Sequence, residues 1–271
     1  MVAPSPAPSP APPSSKTNLD QLCQTLRPGQ QSLAEWRGGR LAVAAVPGAG
    51  KSHSLAVAAA VAIARHQLHP RKQLVVVTFT RSAAANIKQK IKANLKALEL
   101  PVGGFMVQTL HGLALHIASR HPGGSGLDWE RLTLVTPNRS HRLLRKAVEQ
   151  WIEAHPQDYG QLIEGRGFDG EESERLRRHS VLRTEILPNL AQTVSHEAKS
   201  SGLTPADVLE LGQQIPDPYQ TLAVAAGIYR RHEDLMRSHQ FIDYDDMILA
   251  ALQVLEQPTV RQLWQEHIFA V

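Results

Sequence analysis

Apolar positions fall into two kinds of pattern along the first 120 residues. Short unbroken runs at Leu41–Val46, Leu74–Thr80 and Phe105–Gln108 predict strands; the first is bounded by Gly38-Gly39 and Pro47-Gly48, as suits a strand buried on both faces. Val75-Val76-Val77 gives the second strong β-branched character. Longer stretches without internal Gly or Pro lie between the runs. Ser54–His66 predicts a buried helix, Ala83–Leu98 a helix with lysines on its polar face, and Leu110–Arg120 a third. Asn18–Leu26 predicts a short helix broken at Pro28-Gly29. Strands alternating with helices imply an α/β fold in three layers around a parallel sheet.

The pattern changes at His121-Pro-Gly-Gly-Ser-Gly126. From there to about Ser238 the chain is rich in charge and carries no convincing strand run, while Leu222, Ala225, Tyr229, His232 and Met236 recur at helical spacing. Ile268–Val271 returns to a strand pattern. The expected organisation is an α/β domain over residues 17–120 and 238–271 interrupted by a mostly helical insertion over 121–237. Residues 1–16 hold six prolines among Ala and Ser, and are expected to form a disordered tail.

Composition adds exclusions. The 271 residues are 42% hydrophobic and 20% charged, enough for a real core. The longest uncharged apolar run, Leu55–Ala64, is far short of the ~20 residues of a membrane span. Cys23 is the single cysteine, so no internal disulfide forms, and a reducing, cytoplasmic location is expected. The net charge is only +4, but its placement is uneven. From Trp36 to Leu98 there are eleven cations and no acidic residue, an arrangement attractive to phosphates or, more plainly, a solvated basic face.

Ala45-Val46-Pro47-Gly48-Ala49-Gly50-Lys51-Ser52 fits the phosphate-loop pattern [AG]-x4-G-K-[ST]. Gly48 and Gly50 permit a tight bend that turns successive amides inward, and the following helix adds the positive end of its dipole. In this reading Lys51 reaches the β- and γ-phosphates and Ser52 ligates Mg²⁺. The reading requires the bend at Val46–Ser52 to lie at the end of a central strand with its interior open.

Other segments resemble superfamily 1 DNA helicases of the UvrD/PcrA/Rep type. Leu26-Arg-Pro-Gly-Gln30 resembles the family's Q motif, Val77-Thr-Phe-Thr-Arg-Ser-Ala-Ala-Ala85 its motif Ia, Gln108-Thr-Leu-His-Gly112 its motif Ib, and Ile242-Asp-Tyr-Asp-Asp-Met247 the segment before its Walker B strand. The resemblance implies a P-loop NTPase (RecA-like) sheet, ATP and Mg²⁺ as cofactors, single-stranded DNA as partner and no membrane. It assigns Gln30 to the adenine edge, Ala45 to His53 to the nucleotide, and Thr78, Phe79, Thr80, Arg81, Thr109 and His111 to the DNA path. For Phe79 two readings stand, a base-stacking ring or core packing at a strand end; for His111, a DNA donor or a structural histidine. His53, Arg81-Ser82, Asn86 and Leu110 depart from the family's usual residues.

Hydrolysis needs an Asp in the Mg²⁺ shell and a Glu to activate water. Ile268–Val271 resembles the apolar strand that precedes that pair in the family, so the chain is expected to bind ATP and single-stranded DNA without useful turnover. It would be the N-terminal portion of a 3′–5′ helicase or, alternatively, a non-enzymatic binding module or decayed gene fragment. Asp243, Asp245 and Asp246 fit helix capping better than metal binding, with Asp243 as N-cap. His66 and His69 flank a turn at Pro70 without further ligands.

Overall fold

In this computed structural model the described residues are 15–165 and 167–271, with side chains described from residue 18. In chain order the elements begin α1 (Ser15–Gln24), α2 (Pro28–Ala34), α3 (Lys51–His66), β1 (Gln73–Thr78), α4 (Arg81–Ala97), β2 (Phe105–Thr109), α5 (Leu110–Arg120) and α6 (Pro122–Ser125). They continue with β3 (Thr133–Leu134), α7 (Pro137–Ala154), α8 (Pro156–Ile163), α9 (Glu172–Val181), a π turn at Leu182–Ile186, α10 (Leu187–Ser200) and α11 (Pro205–Gln214). The chain finishes with α12 (Thr221–Ser238), β4 (Phe241–Ile242), α13 (Tyr244–Glu256), α14 (Pro258–His267) and β5 (Ile268–Ala270). Two compact units result, the first running to Leu113 and resuming at Pro258–Val271, the second covering Ala114–Gln257.

The first unit is built on a parallel sheet of order β2-β1-β5. β1 pairs with β2 in unbroken register from Leu74↔Phe105 to Thr78↔Thr109, and β5 meets the other edge of β1 at Gln73↔Ile268 and Leu74↔Ala270. Helix α4 makes the crossover that parallel neighbours need. Ile87, Ile91 and Leu95 recur four apart on it and are buried against Ala56, Ala60 and Ile63 of α3 and Val76 and Val107 of the sheet. Burial of Ile91 and Leu95, both without solvent exposure, contributes roughly 1.5–3 kcal/mol each. Thr80 caps α4 by accepting from Ala83 N at 3.1 Å. The helix ends where Glu99 turns to φ +58° and Leu100 N donates back to Leu95 O at 2.9 Å. Gly104, at φ +72°, leads into β2; a Cβ there would lie 2.4 Å from Leu68 O.

The second unit is mostly helical. Leu144, Ala147, Val148 and Trp151 of α7 pack with Leu187 and Ala191 of α10 and Ile228 of α12. The α12 stripe follows the predicted spacing, with Ala225, Tyr229, His232 and Met236 buried. Pro188 has no N–H for an i→i−4 bond, and the chain widens into the π turn just before it.

Three expectations are corrected. Leu41–Val46 is not a strand, and its Leu41, Val43 and Val46 are 52, 61 and 71% exposed. A strand is completed by a hydrogen-bonded neighbour, and among the described residues the three-stranded sheet does not include this run. The first helix begins at Ser15 and ends at Gln24, and Pro28-Gly29 opens α2, since proline at the first helical position lacks only a donor that would be unpaired anyway. The helical stretch also contains a two-residue strand, β3, paired in parallel with β4. The tail expected over residues 1–16 lies outside the described residues except for its last two, which start α1.

Candidate nucleotide and nucleic-acid site

The bend before α3 has the backbone that its glycines allow. Gly48 and Gly50 adopt φ +79° and +85°, and Ala49 N closes a turn onto Val46 O at 3.2 Å. Gly50 O accepts from His53 N at 2.9 Å and Ser54 N at 3.0 Å, which starts the helix. Among the described residues, the amides of Gly50, Lys51 and Ser52 donate to nothing, and the Ser52 hydroxyl and His53 ring are exposed. These unpaired donors at a helix N-terminus form the kind of site an anionic group occupies.

Two features depart from the expected loop. No strand leads into the bend, for the reason given above. Its interior is also filled by its own side chain, because Lys51 Nζ donates to Val46 O at 2.9 Å and Ala45 O at 3.3 Å. Pro47 follows these carbonyls in the bend and is exposed. Gln30 reaches the bend from α2: its Nε2 donates to Ala49 O at 2.6 Å while its Oε1 accepts from Arg27 N at 3.1 Å. Two segments nineteen residues apart are thus joined by one side chain.

The DNA-path candidates gather at one end of the sheet. Thr78 and Thr109 are register partners at the C-terminal ends of β1 and β2, the edge at which parallel α/β sheets bind ligands. Phe79 follows Thr78 and is 97% exposed, which removes the core-packing reading. Thr80 Oγ1 lies 3.2 Å from Ser82 Oγ as well as capping α4, and Arg81 is exposed in its first turn. Thr109 Oγ1 accepts from Gly112 N at 3.1 Å, which leaves its own proton to donate; His111 sits half-buried beside it in α5.

The Asp243–Asp246 segment has a different role, in the second unit. Asp243 is the N-cap of α13 in a reciprocal capping box with Asp246, as its sequence context predicts. Both also bind Lys199, which is buried and whose Nζ lies 2.8 Å from Asp243, 2.7 Å from Asp246 and 2.9 Å from Glu233. Asp245 accepts the His196 ring at 2.9 Å. Burial pushes Asp246 up, helped by Asp243 and opposed by Lys199, to about 6. Burial likewise opposes ionisation of Asp243, but Lys199 outweighs it and holds that carboxyl below its usual range. Burial alone would lower Lys199, yet the three carboxylates together raise it. The hydrogen bond to Asp245, then its charge, raises His196. Lys199 carries no sequence signal, because its partners lie 34 to 47 residues away.

A mixed α/β unit with a small parallel sheet, joined in one chain to a largely helical unit and carrying Thr-Phe-Thr and Thr-Leu-His-Gly at adjacent strand ends, is consistent with a helicase N-terminal domain. Residues 26–271 match the UvrD/REP helicase N-terminal domain model, and the chain belongs to that family. It is also similar to the ATP-dependent DNA helicase SRS2 of Saccharomyces cerevisiae, 22% identical over 229 residues. That alignment covers 81% of this chain and 18% of the yeast protein, so the chain spans under a fifth of that relative's length. No helix among the described residues is long and apolar enough to cross a membrane.

Proposed function

We propose that the chain is the ATP- and single-stranded-DNA-binding portion of an ATP-dependent 3′–5′ DNA helicase, an α/β domain interrupted by a helical insertion. Neither the leading strand nor the open interior that a phosphate loop calls for is present, so the nucleotide reading rests on the bond from Gln30 to Ala49, which holds a side-chain amide beside a bend with unpaired amides, and on release of Lys51 from its own carbonyls. On binding, Lys51 leaves the Ala45 and Val46 carbonyls for the terminal phosphates, where an anionic acceptor replaces two uncharged ones. Gly48 to Ser52 supply amides, the Ser52 hydroxyl takes a Mg²⁺ position, and Gln30 and His53 flank the nucleoside. Bound Mg²⁺ supplies charge neutralisation at the phosphates. The DNA strand crosses the C-terminal ends of β1 and β2, with Thr78, Thr80, Arg81, Thr109 and His111 on phosphates and Phe79 against a base.

Binding of a fluorescent ATP analogue with Mg²⁺, followed by anisotropy, tests this. Lys51→Ala is expected to weaken it by about tenfold or more, the scale of a hydrogen bond to a charged group. Equal binding by the two proteins would overturn the reading. A second reading, a binding module without turnover, is favoured because Asp243, Asp245 and Asp246 are already held by Lys199 and His196. DNA-stimulated ATP turnover that Lys51→Ala abolishes would reject it.

A further inference from the structure

A cavity of about 580 Å³ opens within the second unit, walled by the end of α7, α8, α11 and the first half of α12. Its size falls in the range of small-molecule sites. Two aromatic residues are among its lining: Trp151 and His155 stack at 5.0 Å between centroids and 13° between planes, and His155 Nδ1 lies 3.0 Å from Trp151 O. Gly227 makes room for the indole, since a Cβ there would lie 2.6 Å from Trp151 Nε1. Tyr219 stands at the rim, 39% exposed, where Asp217 holds the entry to α12 by accepting from Tyr219 N at 3.0 Å. Gln161 and Gln220 line the same space, and a side-chain amide can both donate and accept.

Arg230 and Arg231 complete the lining. Both are exposed, and among the described residues neither makes an ion pair or hydrogen bond. The second unit carries 15 Lys and Arg against 21 Asp and Glu, a net −6, so acidic partners are plentiful. Two guanidinium groups left unpaired in an acidic unit, beside flat rings, suit a ligand that is itself planar and anionic. The surrounding negative charge disfavours a long polyanion laid over this surface, so recognition is confined to the one residue or molecule inside. Asp158 is the one acidic lining residue, and its charge disfavours a second anionic group in the cavity.

We propose that this cavity binds a nucleoside phosphate, its base against Tyr219 and His155 with its edge read by Gln161 and Gln220, and its phosphate held by Arg230 and Arg231. The ligand is either a free nucleotide or one nucleotide of a single strand. The test uses the full chain carrying Lys51→Ala and Phe79→Ala, so that neither the phosphate loop nor the Phe79 contact proposed above contributes to the binding measured. Equilibrium dialysis measures binding of thymidine 5′-monophosphate and of an oligothymidylate, with and without Arg230→Glu and Arg231→Glu together. The double change is expected to weaken binding by about tenfold or more without altering the melting curve, since neither arginine has a partner to lose. Loss for both ligands identifies a free-nucleotide site, and loss for the oligomer alone a site for a nucleotide within a strand. Binding of neither ligand, binding that ignores the two substitutions, or displacement by an acidic peptide but not by nucleotide would overturn the proposal. Tyr219→Ala supplies a second variant that removes the stacking ring and keeps both charges.

Discussion

At Lys199 three carboxylates converge on one buried ammonium, and the charges cannot all balance. One positive group faces Glu233, Asp243 and Asp246, and burial, with the charge of Asp243 added to it, makes one of the Asp pair reluctant to ionise. Asp246 is that residue, pushed from 3.8 to about 6, while Asp243 is held low. The sign follows directly. A carboxyl raised in the folded state favours folding while it is protonated in both states, and that benefit is lost as pH rises from 3.8 through about 6. Asp243 acts oppositely, stabilising above 3.8 and losing its contribution as pH falls through its lower folded value. His196 stabilises below 6.5 and loses its contribution as pH rises through its raised value; buried His232 stabilises above 6.5 and loses it as pH falls. Asp246→Asn isolates one group from this set. Urea midpoints compared with the unsubstituted chain should show the variant relatively more stable at about pH 7 than at pH 4, because the Asn has no ionisation to resist. A difference between the two proteins that stays constant with pH would assign the shift elsewhere. Removing Lys199 instead would strand the carboxylates, at a cost of about 3–5 kcal/mol.

Elements were legible where their own residues carried the pattern. Leu110–Arg120 forms as predicted, and α4 and β1 lie within two residues of their expected bounds, because Ile87, Ile91 and Leu95 or the run Val75-Val76-Val77 decide them locally. Leu41–Val46 has the same apolar character yet stays outside the sheet, since a strand depends on a neighbour that no local pattern encodes. Thr133–Leu134 is too short to have a period at all. At the candidate site the loop's glycine conformations and the exposed Phe79 follow from residue type and position, whereas Lys51 on its own carbonyls and Gln30 on Ala49 are tertiary contacts. The contact between α7 and α12 is equally silent in the sequence. Gly227 sits in mid-helix, where alanine would ordinarily gain up to ~1 kcal/mol in helix propensity. Here its Cβ would meet the buried indole of Trp151 at 2.6 and 2.8 Å, and moving a packed indole costs ~1–3 kcal/mol. The clash outweighs the propensity, so Gly227→Ala is expected to lower the thermal midpoint rather than raise it. A stabilised Gly227→Ala protein would mean that the two helices separate more easily than their packing indicates.

Charge divides the whole molecule along the boundary between its units. The segments running to Leu113 and over Pro258–Val271 carry 14 Lys and Arg against 4 Asp and Glu, a net +10, where the second unit has −6. The overall +4 is therefore a difference between opposed halves, and conceals a strongly basic unit. In that unit Lys88, Lys92 and Lys96 lie along exposed positions of α4, the helix that begins next to Phe79 and Arg81. A single strand drawn to this unit releases condensed cations, and log K then falls by about 0.7 per phosphate contact for each log unit of salt. Two substitutions separate the two kinds of contact. Lys88→Glu with Lys92→Glu is expected to weaken binding and flatten the salt slope, because it removes charge from the attracting face. Phe79→Ala is expected to weaken binding by about 1–3 kcal/mol with the slope unchanged, because a ring stacked on a base neutralises no phosphate. Anisotropy titrations of a labelled oligothymidylate over a series of salt concentrations measure both quantities together. A binding constant that does not respond to salt would detach the basic unit from DNA altogether, and a Phe79→Ala protein with wild-type affinity would leave its 97% exposed ring without a base to cover it.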